Sequence, residues 1–146
     1  MKQGGLRLRA IDAEDVAMFS ALLQDALVEL PHFVLDRAGR RFGGFLVRFR
    51  HEERRRGPSA PMRQVKCALA FDDVTGVRYR AVDPTEARPL ELLALSTDDA
   101  PNPRHATFHF AGGGALRVEF ERLSLRLEDI GDPWITAIVP DHGSEP

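Results

Sequence analysis

The stretch that most constrains the fold is residues 105–130, HATFHFAGGGALRVEFERLSLRLEDI, where two alternating segments meet at three consecutive glycines. Phe108 and Phe110 share one face of the first segment. Leu116, Val118 and Phe120 recur with period two in the second and leave Arg117, Glu119 and Glu121 outward. That pattern predicts a half-buried antiparallel hairpin, with glycines supplying positive φ at the turn. A phosphate loop would need spaced glycines and a helix after them; here another strand follows. Beyond Phe120 the apolar phase moves to Leu123, Leu125 and Leu127, so a bulge or tight bend near Glu121 and Arg122 is needed to keep both sets in one core.

The N-terminal part predicts a short strand over 6–11 and then a helix. Asp12 is a good N-cap, Asp15 occupies the capping-box position, and Ile11 with Val16 has the spacing of a hydrophobic staple. Phe19, Leu22, Leu23 and Ala26 continue a helical stripe, with Ser20 and Gln24 outward and an end near Asp25. From there the period is two. Strands are expected over 27–35, interrupted at Pro31, over 41–50, over 62–71, over 77–82 and over 90–96. In 41–50, Phe45, Val47 and Phe49 are placed inward and Leu46, Arg48 and Arg50 outward, with Gly43 and Gly44 marking a bulge or a close backbone approach. Turns are expected at 36–40, where Gly39 suits positive φ, and at 72–76, joining two strands as a hairpin. The nearly all-apolar run at 90–96 predicts a strand covered on both faces.

About eight antiparallel strands in two meanders, with one N-terminal helix, give an α+β chain folded as a roll or partly open barrel; a PH-like roll is one form of it. The 146 residues fit a single domain over 1–146, with 51–61 as an exposed charged loop and 140–146 as a flexible tail. No apolar run reaches the ~18 residues of a membrane span and no secretion signal opens the chain, so a cytoplasmic protein without membrane contact is expected. A net charge of −2 argues against bulk nucleic acid as a partner. Arg outnumbers Lys eighteen to two, but the arginines are dispersed rather than clustered.

Few residues present themselves as carriers of chemistry. Cys67 alternates with Val65, Leu69 and Phe71, which predicts a core thiol. His105 and His109 on a strand lie ~13 Å apart, too far to share an ion, so neither a metal nor any other cofactor is expected. The binding candidates are Asp72 and Asp73, a carboxylate pair that also suits a turn; Arg78 and Arg80, which project from one strand face and could hold an anion; His109; and Trp134, the one Trp, which packs or stacks on a ligand.

The strings SALLQDAL at Ser20, LAFDDVTGVRYRAVDP at Leu69, LELLAL at Leu90 and AGGGALRVEFERLSLRLEDIGDPW at Ala111 resemble a family of small alphaproteobacterial proteins catalogued as domain of unknown function 2948. The resemblance spans nearly the whole chain. It implies a bacterial cytosolic protein and brings no activity, cofactor or catalytic residue with it. The residues favour a non-enzymatic binding or adaptor module for a protein or small-molecule partner, with an exposed strand edge as a route to a homodimer. An enzyme assembled from distant strands is the alternative. RNA contact through Arg48, Arg50 and Arg54 to Arg56 with Phe45 or Phe49 stacking is a third reading, weakened by an inward phase for the aromatics.

Overall fold

The computed structural model describes residues 5–52 and 62–135. Ten strands and one α-helix follow in the order β1 (Arg7–Ala10), α1 (Ala13–Leu22), β2 (Leu27–Val28), β3 (Val34–Asp36), β4 (Arg41–Phe49), β5 (Arg63–Phe71), β6 (Val74–Arg80), β7 (Leu90–Thr97), β8 (His105–Phe110), β9 (Ala115–Phe120) and β10 (Leu125–Ile135). All pairings are antiparallel, in the order β1-β10-β5-β4-β2-β7-β8-β9-β6, with β3 on β4. The sheet rolls without closing into a barrel, and the α+β expectation holds.

The roll is made by two bent strands lying side by side. The phase slip after Phe120 is a corner: β9 pairs with β8 and β6 before it, and β10 with β5 and β1 after it. The chain at 72–73 turns the same corner. This corrects the expected hairpin, since β5 and β6 do not pair with each other but each lies along a half of the β9–β10 strand. The Asp72 N–H donates to the Ser124 carbonyl at 2.9 Å and the Glu121 N–H to the Asp73 carbonyl at 3.0 Å, so ladder groups exposed by the bend remain paired. Asp73, at φ 57, takes the left-handed conformation that aspartate tolerates.

The concave side holds the core. Phe71 of β5 lies edge-on to Phe108 of β8, with ring centroids 6.1 Å apart, and stacks on Phe120 of β9 at 6.0 Å, joining the two halves of the sheet. The helix starts at the expected N-cap: the Asp15 N–H donates to Asp12 Oδ1 at 2.8 Å, while Asp15 Oδ2 accepts the N–H of Ile11, one residue before the cap, at 2.9 Å, a variant of the capping box. Ile11 stays 62% exposed, so the staple buries little. The helix ends at Leu22, short of Asp25, whose φ of 70 breaks it. Val16, Phe19 and Leu23 are buried toward the sheet, where α1 meets β7 and β1. Ser20 is not outward: its Oγ accepts the Leu95 N–H of β7 at 2.9 Å.

Two further expectations change. At 36–40, Arg40 rather than Gly39 has positive φ (56), and Gly39 donates its N–H to Asp36 Oδ1 at 3.1 Å. The 90–96 run is not covered on both faces: a register irregularity between Leu92 and Ala94 puts Leu92 and Leu95 inward and leaves Leu93 48% exposed. The interruption expected at Pro31 is present: the 27–35 region is two short strands joined by a 3₁₀ turn over Leu30–His32, in which Pro31 sits where its missing N–H costs nothing. Arg54 to Arg56, the rest of 53–61 and the 140–146 tail lie outside the described residues. Among the described residues, no helix is long and apolar enough to cross a membrane.

Candidate functional site

Strand β4 carries apolar residues in both phases, so its orientation is decided by what its polar residues can reach. Arg48 is 0% exposed. Its Nε and Nη2 donate to Asp129 Oδ1 and Oδ2 at 2.9 and 2.8 Å, and its Nη1 and Nη2 to Glu52 Oε1 and Oε2 at 3.0 and 2.8 Å. The Nη1 also reaches the Phe49 carbonyl at 3.3 Å, so each of the guanidinium donors has an acceptor. Asp129, with a side chain 3% exposed, accepts the Leu6 N–H as well, at 3.0 Å. Burial works against the Arg48 charge, but the hydrogen bonds to Asp129 and Glu52 outweigh it and raise the pKa. Burial likewise opposes the Glu52 charge, and the Arg48 hydrogen bond wins, leaving that carboxyl below its ordinary range.

With Arg48 inward beside Phe42 and Leu46, the expected phase of β4 is reversed: Phe45, Val47 and Phe49 face out. The objection that the aromatics point inward, which weakened the RNA reading, falls away, while Arg48 is itself removed from any surface. Gly43 and Gly44 allow the close approach that was expected. A Cβ on Gly43 would lie 2.5 Å from the Leu69 carbonyl oxygen, and one on Gly44 2.3 Å from that of His32. No bulge accompanies them, since β4 pairs with β5 in unbroken register from Phe42 to Phe49.

The convex side of the sheet therefore carries an ordered row. The register aligns Glu91 with Leu27, Leu27 with Val47, Val47 with Lys66 and Lys66 with Ile130, across β7, β2, β4, β5 and β10. Leu27 is 39% and Ile130 38% exposed. Beside this row stands Phe45, 44% exposed, with the Lys66 ammonium 4.9 Å from its ring centroid. On the other side Phe49 aligns with Gln64 and Gln64 with Trp134, which is 42% exposed. A shallow cavity of about 290 Å³ opens on this face, lined by Leu27, Glu29, His32, Phe45, Lys66 and Pro89 among others. At the end of the row a hydrogen bond with Asp25 holds the Glu91 carboxyl above its ordinary range, helped by partial desolvation and the neighbouring charge.

The sequence candidates are dispersed. Asp72 sits at the corner, where burial pushes its carboxyl up and hydrogen bonds from Arg41 Nε at 3.0 Å and Arg126 Nη2 at 3.2 Å more than offset this, lowering its pKa. Asp73 faces Arg122 at 3.9 Å. Arg78 pairs with Glu119 at 3.1 Å on the exposed face of β6, where Arg80 is also exposed. His109 Nε2 lies 2.9 Å from Ser96 Oγ on the outer side of β8. Trp134 alone belongs to the apolar convex face. Asp73 lines a surface cavity together with Asn102, Arg104, Arg122 and Leu123. No group of three or more His, Cys, Asp or Glu side chains among the described residues is placed to hold a metal ion. Cys67 is buried, and desolvation pushes its thiol up to about 12.

No curated protein and no solved structure matches the chain. A family model matches residues 6–142, and the chain belongs to that family, described as a protein of unknown function, DUF2948.

Proposed function

We propose that this protein is a non-enzymatic binding module that docks a protein partner on the convex face formed by β2, β4, β5 and β10. The observation that carries the reading is the cross-strand row through Leu27, Val47, Lys66 and Ile130, flanked by Phe45 and Trp134: of these, Leu27, Ile130, Phe45 and Trp134 are large apolar side chains that keep about two-fifths of their surface in water. A sheet face of this kind gains about 25 cal/mol for each Å² of apolar area it covers, so aligned exposure favours association over solvent contact. Lys66 is the cation at the centre of the face, and its ammonium rests on Phe45 rather than on a carboxylate. Such mixed chemistry suits a protein surface better than a phosphate backbone, which calls for several cations.

The test is the apparent mass of the protein in an extract of its source cells. Wild type should elute well above its 16.3 kDa chain mass, Phe45→Ser and Ile130→Ser should return it toward the monomer position, and Tyr79→Ser, on β6, should not. A wild-type protein eluting at the monomer mass would count against the proposal, as would face variants that elute like wild type.

A further inference from the structure

The charges along the convex row are arranged so that the row complements itself. Read across the sheet it runs Glu91, Leu27, Val47, Lys66: carboxylate, apolar, apolar, ammonium. At about 4.8 Å between strands the two charges stand ~14 Å apart, with the midpoint between Leu27 and Val47. A two-fold axis through that midpoint, parallel to the strands, lays each Glu91 over the other copy's Lys66 and each Leu27 over the other copy's Val47. Two convex faces approach to ~10 Å where they touch, at the Leu27–Val47 centre, and diverge from there, so that the longer glutamate and lysine side chains span the wider gap at the two ends of the row.

We propose that the occupant of this face is a second copy of the same chain, joined in an isologous dimer through Glu91–Lys66 pairs around a Leu27–Val47 centre. The proposal rests on the reading of the convex face as a docking surface and names its partner. It differs from the strand-edge dimer expected from the sequence, because the contact is made by a sheet face and needs no added ladder. Two features on the face fit it. The Lys66 ammonium sits on the Phe45 ring 4.9 Å from its centroid, and no carboxylate among the described residues pairs with it, so it is available to the facing Glu91. The cavity beside Phe45, between Leu27, His32 and Pro89, has room for one large side chain from the other copy. A register offset by one strand would instead set Lys66 against an apolar residue, so charge selects this one alignment.

The experiment is sedimentation equilibrium on the purified full chain and three charge variants. Wild type should approach twice 16.3 kDa as concentration rises. Lys66→Glu and Glu91→Lys each place like charges opposite one another and should weaken the dimer by at least about tenfold. The double variant Lys66→Glu/Glu91→Lys restores opposite charges across the axis and should recover most of that loss. All four positions in the contact lie on the surface, and unchanged circular dichroism would show that the fold is kept. A wild type monomeric at millimolar concentration overturns the proposal, as do single variants that dimerise normally or a double variant weaker than either single. If purified wild type is monomeric while cell extracts still show a complex lost on Phe45→Ser, the second copy is excluded and the docking face stands. A dimer indifferent to Phe45→Ser would sink both.

Discussion

Asp129→Asn is the sharpest perturbation of the fold behind the convex face. The substitution keeps the shape and an oxygen for the Leu6 N–H, but removes the negative charge that receives two donors from Arg48 at 2.8–2.9 Å. Arg48 has no exposed side-chain surface through which water could take over. Breaking a buried pair on one side typically costs about 3–5 kcal/mol. Glu52 remains bidentate on the same guanidinium, so the low end, about 3 kcal/mol, is expected here. For a chain of this size that corresponds to a fall in Tm of about 6–12 °C, read by calorimetry or circular dichroism. Glu52→Gln, on a side chain 31% exposed, should cost less than Asp129→Asn. In Arg48→Met/Asp129→Asn the stranded charge is gone, so the double variant should be more stable than the two single losses add up to. An Asp129→Asn protein melting within ~2 °C of wild type would mean that Arg48 is satisfied without the Asp129 charge, contrary to this expectation.

Other outcomes follow from single contacts. Gly44→Ala drives a Cβ to within 2.3 Å of the His32 carbonyl oxygen and 2.8 Å of Phe33 Cα, so a loss of about 1–3 kcal/mol in urea unfolding is expected, and a neutral result would mean that the backbones are not so close. Ser20→Ala strands the Leu95 N–H of β7 and should cost about 1–3 kcal/mol, whereas Ser20→Thr, which keeps an oxygen, should cost less. The Cys67 thiol, pushed up to about 12 by burial, should react with Ellman's reagent at pH 8 only as the protein unfolds, and rapid labelling of native protein would contradict its place in the core. Glu52 and Asp72 have folded pKa values below their unfolded ones, so they stabilise above the unfolded value and that stability is lost as pH falls through the folded one. The urea midpoint should therefore drop on acidification below about pH 4, and a midpoint that rises there would be inconsistent with both ion pairs.

What the sequence disclosed depended on whether a signal was local. The Asp12–Asp15 box, the hairpin at the three glycines and the corner after Phe120 are all written in residues within a few positions of one another, and each is present in the fold. The phase of β4 was not legible. Phe45, Val47 and Phe49 outweigh Phe42 and Leu46 by hydrophobicity, and the choice was settled by Asp129, 81 residues beyond Arg48 in the chain. Glu52, four residues on, was the one nearby sign that Arg48 had a partner. The hairpin expected at 72–76 failed for a related reason. Turn chemistry at Asp72, Asp73 and Gly76 is the same whether the strand returns on itself or bends onto another sheet half, and only the pairing of β6 with β9 decides. The candidate site followed β4: with its phase reversed, Phe45 moved from core to surface, and the row from Glu91 to Ile130 came into existence only when five strands were placed in register. No spacing within one segment contains it.

Whether that row is covered in the working protein decides what the convex face is for. Carbene footprinting in the cells that produce it, followed by residue-level mass spectrometry and compared with dilute purified protein, reads this directly. Phe45, Ile130 and Trp134 should be labelled in dilute solution and protected in the cell, while Tyr79, 38% exposed on β6, should be labelled alike in both. Equal labelling of Phe45 and Ile130 in the two settings would contradict the assignment of the convex face as the docking surface.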